Sequence, residues 1–507
     1  MTEHYLDRLA RTINANWDAH ALTDFYLTED GTAQDTSRGN HYTYGEMYIE
    51  MLRLGELFKQ LGLQKGDHIA ICGANSAHWA IAYLAIAAYQ GVSVTVLHTQ
   101  SPEDIARQID FSDAKALFTD EALWRDLKGL SLPLVNHVIS LDSWKFLRGE
   151  EVKISNHDLR VDRQEACFEL RNLDDLAMIC FTSGSSGSAK GVMLSYRNIS
   201  NNISDFVDMM VLDDNRNYLL SLSFAHVSGL LVEFFPHIIR GKYIYVYADC
   251  FTIDQYHKAL TIIRPYILSH VPPVLNELNK KYGIVNYLVF VKEVFTGASV
   301  IDETLEKEML SDGVPLVVIY GMTETTGGVT VSLVGNHRAG TCGKLFANLV
   351  LRISQNDEIL VKGDNVMLGY YKNPEATAQK IDADGWLHTG DRGYLDEDGY
   401  LYVEGRLEQD IIVLPNGENI HPDNIESKIN ALPEVAESIV IAREGKLVAI
   451  VVVSGELSAD SRTALRLSIL RSVNAQLPMY AQIYDIEWSE EPLARTAKQT
   501  LKRHMYK

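Results

Sequence analysis

The sequence predicts an α/β protein built around a mostly parallel sheet, and three observations carry that reading. Short β-branched runs recur through the first two thirds of the chain, HIAICG at 68–73 and VSVTVL at 92–97 among them. Between these two lies NSAHWAIAYLAIAAYQG, an alanine-rich stretch of helical composition, which makes a strand–helix–strand unit. From about residue 340 the texture changes to short strands joined by Gly, Asn and Asp turns, an antiparallel pattern.

In chain order, MTEHYLDRLARTINANWDAH alternates charged and apolar residues as an amphipathic helix does, and it lacks the apolar centre of a secretory signal. After the first strand–helix–strand unit, SPEDIARQIDFSD begins with the Ser-Pro-Glu of a helix start and leads into the strand ALF. LAMICF (176–181), YIYVY (243–247), YLVFV (287–291) and PLVVIYG (315–321) read as further buried strands. DEILVKGDNVMLGYY, GWLHTGDRGYLDEDGYLYVEGR and DIIVLPNGENI supply the antiparallel segment. From about residue 420 helix and strand alternate again, in DNIESKINAL, SIVIA, KLVAIVVV and SRTALRLSILRSVNAQL. The polar turn GRLEQD (405–410) is the best boundary, dividing 1–404 from 411–507.

A chain of 507 residues exceeds one compact core, so two or three domains are expected. The formal net charge of −21 argues against a nucleic-acid partner, whose phosphates require a basic face. No apolar run approaches the roughly 20 residues of a membrane span. The five cysteines are scattered and never spaced CxxC, as expected of reduced thiols in a soluble cytoplasmic protein without a zinc site.

The stretch FTSGSSGSAKG (181–191) carries the first functional signal. Glycines let successive backbone N–H groups face one anion, and Thr182, Ser183, Ser185 and Ser186 add hydroxyl donors. The Walker pattern fails: counting from Gly184, Ala189 occupies the place of its second glycine, and Lys190 is followed by Gly191. A flexible Ser/Gly surface loop would look the same from this stretch alone.

Four further stretches occur in order: YGMTETTG (320–327), HTGDRG (388–393), GRLEQDII (405–412) and NGENIHPDNIE (416–426). With LVKGDNVMLGYYKNPEAT (360–377), they make almost the whole chain resemble the adenylate-forming superfamily of acyl- and aryl-CoA synthetases, luciferases and peptide-synthetase adenylation domains. GVSVTVLHTQSPEDI, SFAHVSG and VFTGASV make it most similar to the fatty-acyl-CoA ligases. The resemblance implies a large N-terminal domain of stacked α/β layers with a β subdomain, and a small mobile α+β C-terminal domain. It also implies ATP, Mg²⁺ and coenzyme A, a carboxylic acid activated as acyl-AMP, and a medium- or long-chain fatty acid as that carboxylate. An acyl-carrier protein as thiol acceptor, or a non-catalytic nucleotide- or acyl-binding protein, are its alternatives. Oligomeric state is not legible.

Carried onto this chain, the resemblance makes Thr182, Ser183, Gly184, Ser185, Ser186, Gly187 and Lys190 the phosphate loop. Gly297, Ala298 and Ser299 become the edge along which adenine lies, with Tyr320 stacking on the ring and Gly321, Met322 and Thr323 continuing the motif. Glu324 is a hard oxygen ligand for Mg²⁺, with Thr182 assisting. Asp391 accepts from the ribose hydroxyls, and Arg406 donates to ribose or phosphate. Gly417 and Asn419 open the C-terminal domain. His226 stands beside the acyl carboxylate, next to the apolar Leu230, Leu231, Val232, Phe234 and Phe235; Glu233 is the one acid able to pair an amino-acid ammonium there. Two departures stand out. Glu408 replaces the hinge lysine, with one extra residue before Asp410. In PLARTAKQTLKR (492–503), Thr500 occupies the position of the catalytic lysine. Lys498, preferred, or Lys502 would substitute if the segment were extended, since period-2 geometry puts 498, 500 and 502 on one side; surface lysines on a basic tail would look the same.

Overall fold

The computed structural model describes residues 2–27, 39–150, 165–182, 189–209, 217–247, 252–299, 301–333, 335–406, 412–413, 419–420, 422–443, 446–455, 457–477, 481–495, 501 and 503–506. Its largest sheet has eight strands in the order 369–370, 190–195, 176–182, 92–95, 68–72, 116–119, 137–140 and 146–148. The strands from Leu176–Thr182 to His137–Ser140 run parallel, and the flanking strands pair antiparallel. A parallel sheet covered on both faces needs continuous apolar runs; Val92–Thr95 and Ala116–Thr119 are accordingly buried at every position. Helix Ala77–Ala88, capped by Ser76, is buried from Ala77 through Ala87, which explains its lack of a polar face. Trp79 stacks on Phe224 at 5.1 Å and ties this helix to the following layer.

A five-stranded sheet follows in the order 267–269, 293–297, 316–320, 330–331 and 344–345, its first three strands parallel. Strands 218–220, 244–247, 20–25 and 41–43 form another sheet. The predicted antiparallel segment is the meander 349–353, 358–363, 387–395 and 401–406. One expected strand is absent. YLVFV (287–291) follows a 3₁₀ turn, Ile284–Tyr287, and Val291 N–H donates to Tyr287 O at 2.8 Å. Tyr287, Phe290 and Val291 are buried while Val289 is 73% exposed, so the run is a tight turn that anchors by its ends.

The C-terminal part has a sheet of strands Val435–Arg443, Lys446–Val453 and Ile483–Ser489, with helices Pro422–Asn430 and Ala459–Ser472. Ile425, Ile429, Val440, Leu465, Ile469 and Ile486 give it a core of its own, the mark of a separate domain. Arg503 is buried there, its guanidinium donating to both carboxylate oxygens of Glu426 and, at 2.7 Å, to Val440 O. Of the proposed hinge, Gly405 and Arg406 end strand Leu401–Arg406, and 407–410 lie outside the described residues. No helix among the described residues is long and apolar enough to cross a membrane.

Candidate active site

Parallel strands deliver their C-terminal ends to one edge, where loops gather functional groups. Strand Leu316–Tyr320 ends there, and the next residue must be small: a Cβ on Gly321 would lie 2.4 Å from Gly327 O. The chain doubles back through the 3₁₀ turn Thr323–Thr325, which carries Glu324. This carboxylate is 8% exposed, and its Oε1 accepts from the Tyr370 hydroxyl at 2.8 Å. Tyr370 lies in the two-residue strand Gly369–Tyr370, paired to Met193 and Val192 on the second strand of the phosphate-loop hairpin. Lys190, which opens that second strand, holds its Nζ 5.2 Å from the centre of the Tyr370 ring, a cation–π contact. Thr182 ends the first strand and is buried.

The second group forms on the antiparallel meander. Between Glu358 and Leu360 the pairing with strand Leu387–Leu395 shifts register, and Gly390 takes a φ of 74°. Such irregularities re-aim a side chain, here Asp391. Its Oδ2 accepts from the Tyr320 hydroxyl at 2.8 Å and its Oδ1 from Arg406 Nε at 2.8 Å. Burial raises the Asp391 pKa, opposed by Arg406, Tyr320 and Lys380. Lys380 ends helix Pro374–Lys380 and donates from Nζ to Thr389 O at 2.9 Å. Glu324, Lys190, Asp391, Arg406 and Lys380 thus bring both signs of charge to one place.

Beside them, strand Glu293–Gly297 ends against its neighbour: a Cβ on Gly297 would stand 2.5 Å from Ile319 O. Ala298 follows at φ 67°, a left-handed conformation costly for a residue with a Cβ, and Ser299 is exposed. Stored backbone strain of this kind clusters at functional sites.

His226 is half-buried and precedes a π-helical turn, Ser228–Phe234, another feature frequent at such sites. On this turn Val232 and the preceding Val227 face Gly327, whose Cβ would lie 3.0 Å from Val232 Cγ2 and 3.7 Å from Val227 Cβ. Glu233 follows Val232 on this turn. It is 2% exposed, accepts from Ser269 Oγ, and lies beside Tyr218, which stacks on His237. Burial pushes its carboxyl up to about 8, so near neutral pH it is mostly an uncharged acid and a poor counter-ion for an ammonium. A folded-state pKa above the ordinary 4.5 gives stability that is full below about pH 4.5 and lost as pH rises through about 8. Glu233→Gln is expected to remove that loss, a few kcal/mol, which thermal unfolding at about pH 5 and about pH 8 measures for both proteins.

Ser183, Gly184, Ser185, Ser186, Gly187, Gly417, Lys498 and Lys502 lie outside the described residues, and of Asn419 only the backbone, paired to Val413, is described. Arg495 and Leu501 form an antiparallel bridge; the expectation that 498, 500 and 502 share one side of an extended segment falls on residues outside the described ones. The sequence alone singles out neither Tyr370, within LVKGDNVMLGYYKNPEAT, nor Lys380. The signal for Lys380 was its place in the last turn of a helix shortly before HTGDRG.

Among the described residues no group of three or more His, Cys, Asp or Glu side chains could hold a metal ion alone. Mg²⁺ suits a different arrangement, one or two carboxylates completed by substrate phosphates and water. Glu324, with one oxygen fixed by Tyr370, and the Thr182 hydroxyl fit that requirement.

Comparison with known proteins identifies the family. Residues 10–371 match the family model of the AMP-binding enzymes, and residues 409–507 match that of the AMP-binding enzyme C-terminal domain. The 2-succinylbenzoate–CoA ligase of Bacillus cereus (strain ATCC 10987 / NRS 248) is 28% identical over 499 residues, 95% of this chain and 96% of that protein. A probable CoA ligase of Humulus lupulus is 26% identical over 439 residues, 80% and 77% of the two chains. Among solved structures, the o-succinylbenzoate CoA synthetase of Bacillus subtilis in complex with its acyl-adenylate intermediate superposes with a TM-score of 0.79 at 24% identity, covering 99% of this chain and 97% of that one.

Proposed function

The chain belongs to the AMP-binding enzyme family, and on that premise we propose that it activates a carboxylic acid with ATP and passes the acyl group to the thiol of coenzyme A. The observation that carries this reading is the convergence of Glu324 with Tyr370 and Lys190, and of Asp391 with Tyr320 and Arg406, at one edge of the parallel strands. In the first step a carboxylate oxygen attacks the α-phosphorus, the bond to the bridging oxygen breaks, and pyrophosphate leaves. Two anions must meet for this, so preorganised positive charge is the main requirement. Residues 182–187 and Lys190 hold the departing phosphates, Asp391 and Arg406 hold the ribose, and Gly297 to Ser299 with Tyr320 bound the adenine. Magnesium, when held by Glu324 and Thr182, supplies further charge against the phosphates. His226 orients the acyl carboxylate. In the second step the thiolate attacks the acyl carbonyl and AMP departs, with residues 405–410 serving as the hinge on which the C-terminal domain moves.

For the acid we favour a medium- or long-chain fatty acid. Val227 and Val232 form an apolar wall beside Gly327, and Glu233 is a buried, mostly uncharged acid that accepts from Ser269 Oγ. The name of the Bacillus cereus relative supports a second candidate, 2-succinylbenzoate. A panel of octanoate, dodecanoate, palmitate and 2-succinylbenzoate, assayed for ATP-dependent pyrophosphate release with coenzyme A or a phosphopantetheinyl carrier protein, decides. A fatty acid is expected to give the highest kcat/KM, with coenzyme A as acceptor. Preference for 2-succinylbenzoate overturns the fatty-acid reading, and pyrophosphate release with no acid overturns the ligase reading itself.

A further inference from the structure

We propose that Lys380 contacts the bound nucleotide, its ammonium entering the cleft between Glu324 and Asp391 to meet a phosphate oxygen of ATP. The inference rests on the nucleotide site proposed above and adds to it a cation supplied by helix Pro374–Lys380.

Lys380 ends this helix, and the chain then turns through Asp382 to Trp386 and returns as strand Leu387–Leu395. The side chain lies against its own return strand, where Nζ donates to Thr389 O at 2.9 Å. A Cβ on Gly390 would stand 4.0 Å from Lys380 Nζ and also 4.0 Å from Arg406 Nη1. Two cations therefore flank the one turn that presents Asp391. Favourable charge at a helix C-terminus explains a lysine in the last turn, but not one drawn in toward that turn.

An ammonium carries three donors. One is spent on a neutral carbonyl, and among the described residues no carboxylate lies within ion-pair distance. Glu324, Asp391 and Glu358 act on it only from farther away, and Arg406 repels it. Burial lowers the Lys380 pKa, and these three carboxylates offset part of that effect. A cation withdrawn from water against a neutral partner costs free energy in the ligand-free protein. A phosphate oxygen, taking the remaining donors in charge-assisted hydrogen bonds, offsets that cost only when the nucleotide is bound.

The test compares the full-length protein with Lys380→Met and Lys380→Arg, using ATP with magnesium as the probe. Titration calorimetry is expected to show ATP binding weakened about 10- to 100-fold by methionine and partly restored by arginine. Thermal unfolding without nucleotide is expected to show methionine equal to or more stable than lysine, because an incompletely paired charge is gone. Unchanged ATP affinity in Lys380→Met overturns the proposal. So does lowered ligand-free stability with no recovery in Lys380→Arg, the pattern of a helix-end residue that only holds the fold. If the wild type binds ATP but releases no pyrophosphate with any acid, the ligase reading fails while the calorimetric comparison still decides the role of Lys380.

Discussion

Glu324→Gln is expected to lower kcat/KM for ATP-dependent pyrophosphate release by roughly 10²–10³-fold. The substitution keeps the volume of a side chain that is 8% exposed, and its amide oxygen can still accept from the Tyr370 hydroxyl. Only the negative charge is lost, so a fall of that size reports the charge and not the packing. Magnesium dependence supplies the diagnostic: activity of the variant should recover partly as the metal concentration rises, because the site is weakened and its remaining oxygen donors persist. Tyr370→Phe, which frees the carboxylate without removing it, should cost about tenfold. Wild-type rates for Glu324→Gln at every magnesium concentration would remove the metal role of this residue.

Arg503→Leu should destabilise the C-terminal domain by about 3–5 kcal/mol, the cost of breaking a buried ion pair by removing one partner. Arg503 is 6% exposed and Glu426 5%, and Glu426 also accepts from Val440 N–H at 2.5 Å. Removing the guanidinium takes away the cation that donates to both oxygens of a carboxylate lying by the core of Ile425, Ile429 and Val440. The double variant Glu426→Leu/Arg503→Leu should regain most of the loss, because two apolar side chains replace the pair together. Hydrogen exchange in strands Val435–Arg443 and Lys446–Val453 measures it, and unchanged protection in Arg503→Leu would mean the pair does not support the domain. Arg503 adjoins the stretch holding Lys498 and Lys502, so pyrophosphate release should fall with stability in Arg503→Leu. Lys498→Ala and Lys502→Ala test those two lysines separately.

The parallel sheet was legible because burial on both faces writes itself as uninterrupted apolar runs: 68–72, 92–95 and 176–182 are strands, and the helix between the first two is buried along its length. The same composition misled at 287–291, where anchoring by Tyr287, Phe290 and Val291 yields an apolar run without pairing. Asp391 and Glu324 stood out in the sequence only through the motifs that hold them, HTGDRG and YGMTETTG, which resemble those of the adenylate-forming superfamily. The contacts that hold them were not legible, since no local periodicity records a pairing such as Tyr370 to Glu324, or Asp391 to Tyr320, across long stretches of chain. A two-residue strand such as Gly369–Tyr370 has too little sequence to show alternation.

That short strand also sets where the chain can be cut. Gly369–Tyr370 covers the outer margin of Lys190–Ser195, with Tyr371 N–H donating to Gly191 O and Leu368 N–H to Met193 O. A fragment truncated before this point would keep the whole parallel core yet expose a row of unpaired amides and carbonyls, a ready template for self-association. The soluble minimal unit of the large domain therefore extends beyond residue 371, although the sheet it protects begins some 300 residues earlier, at His68.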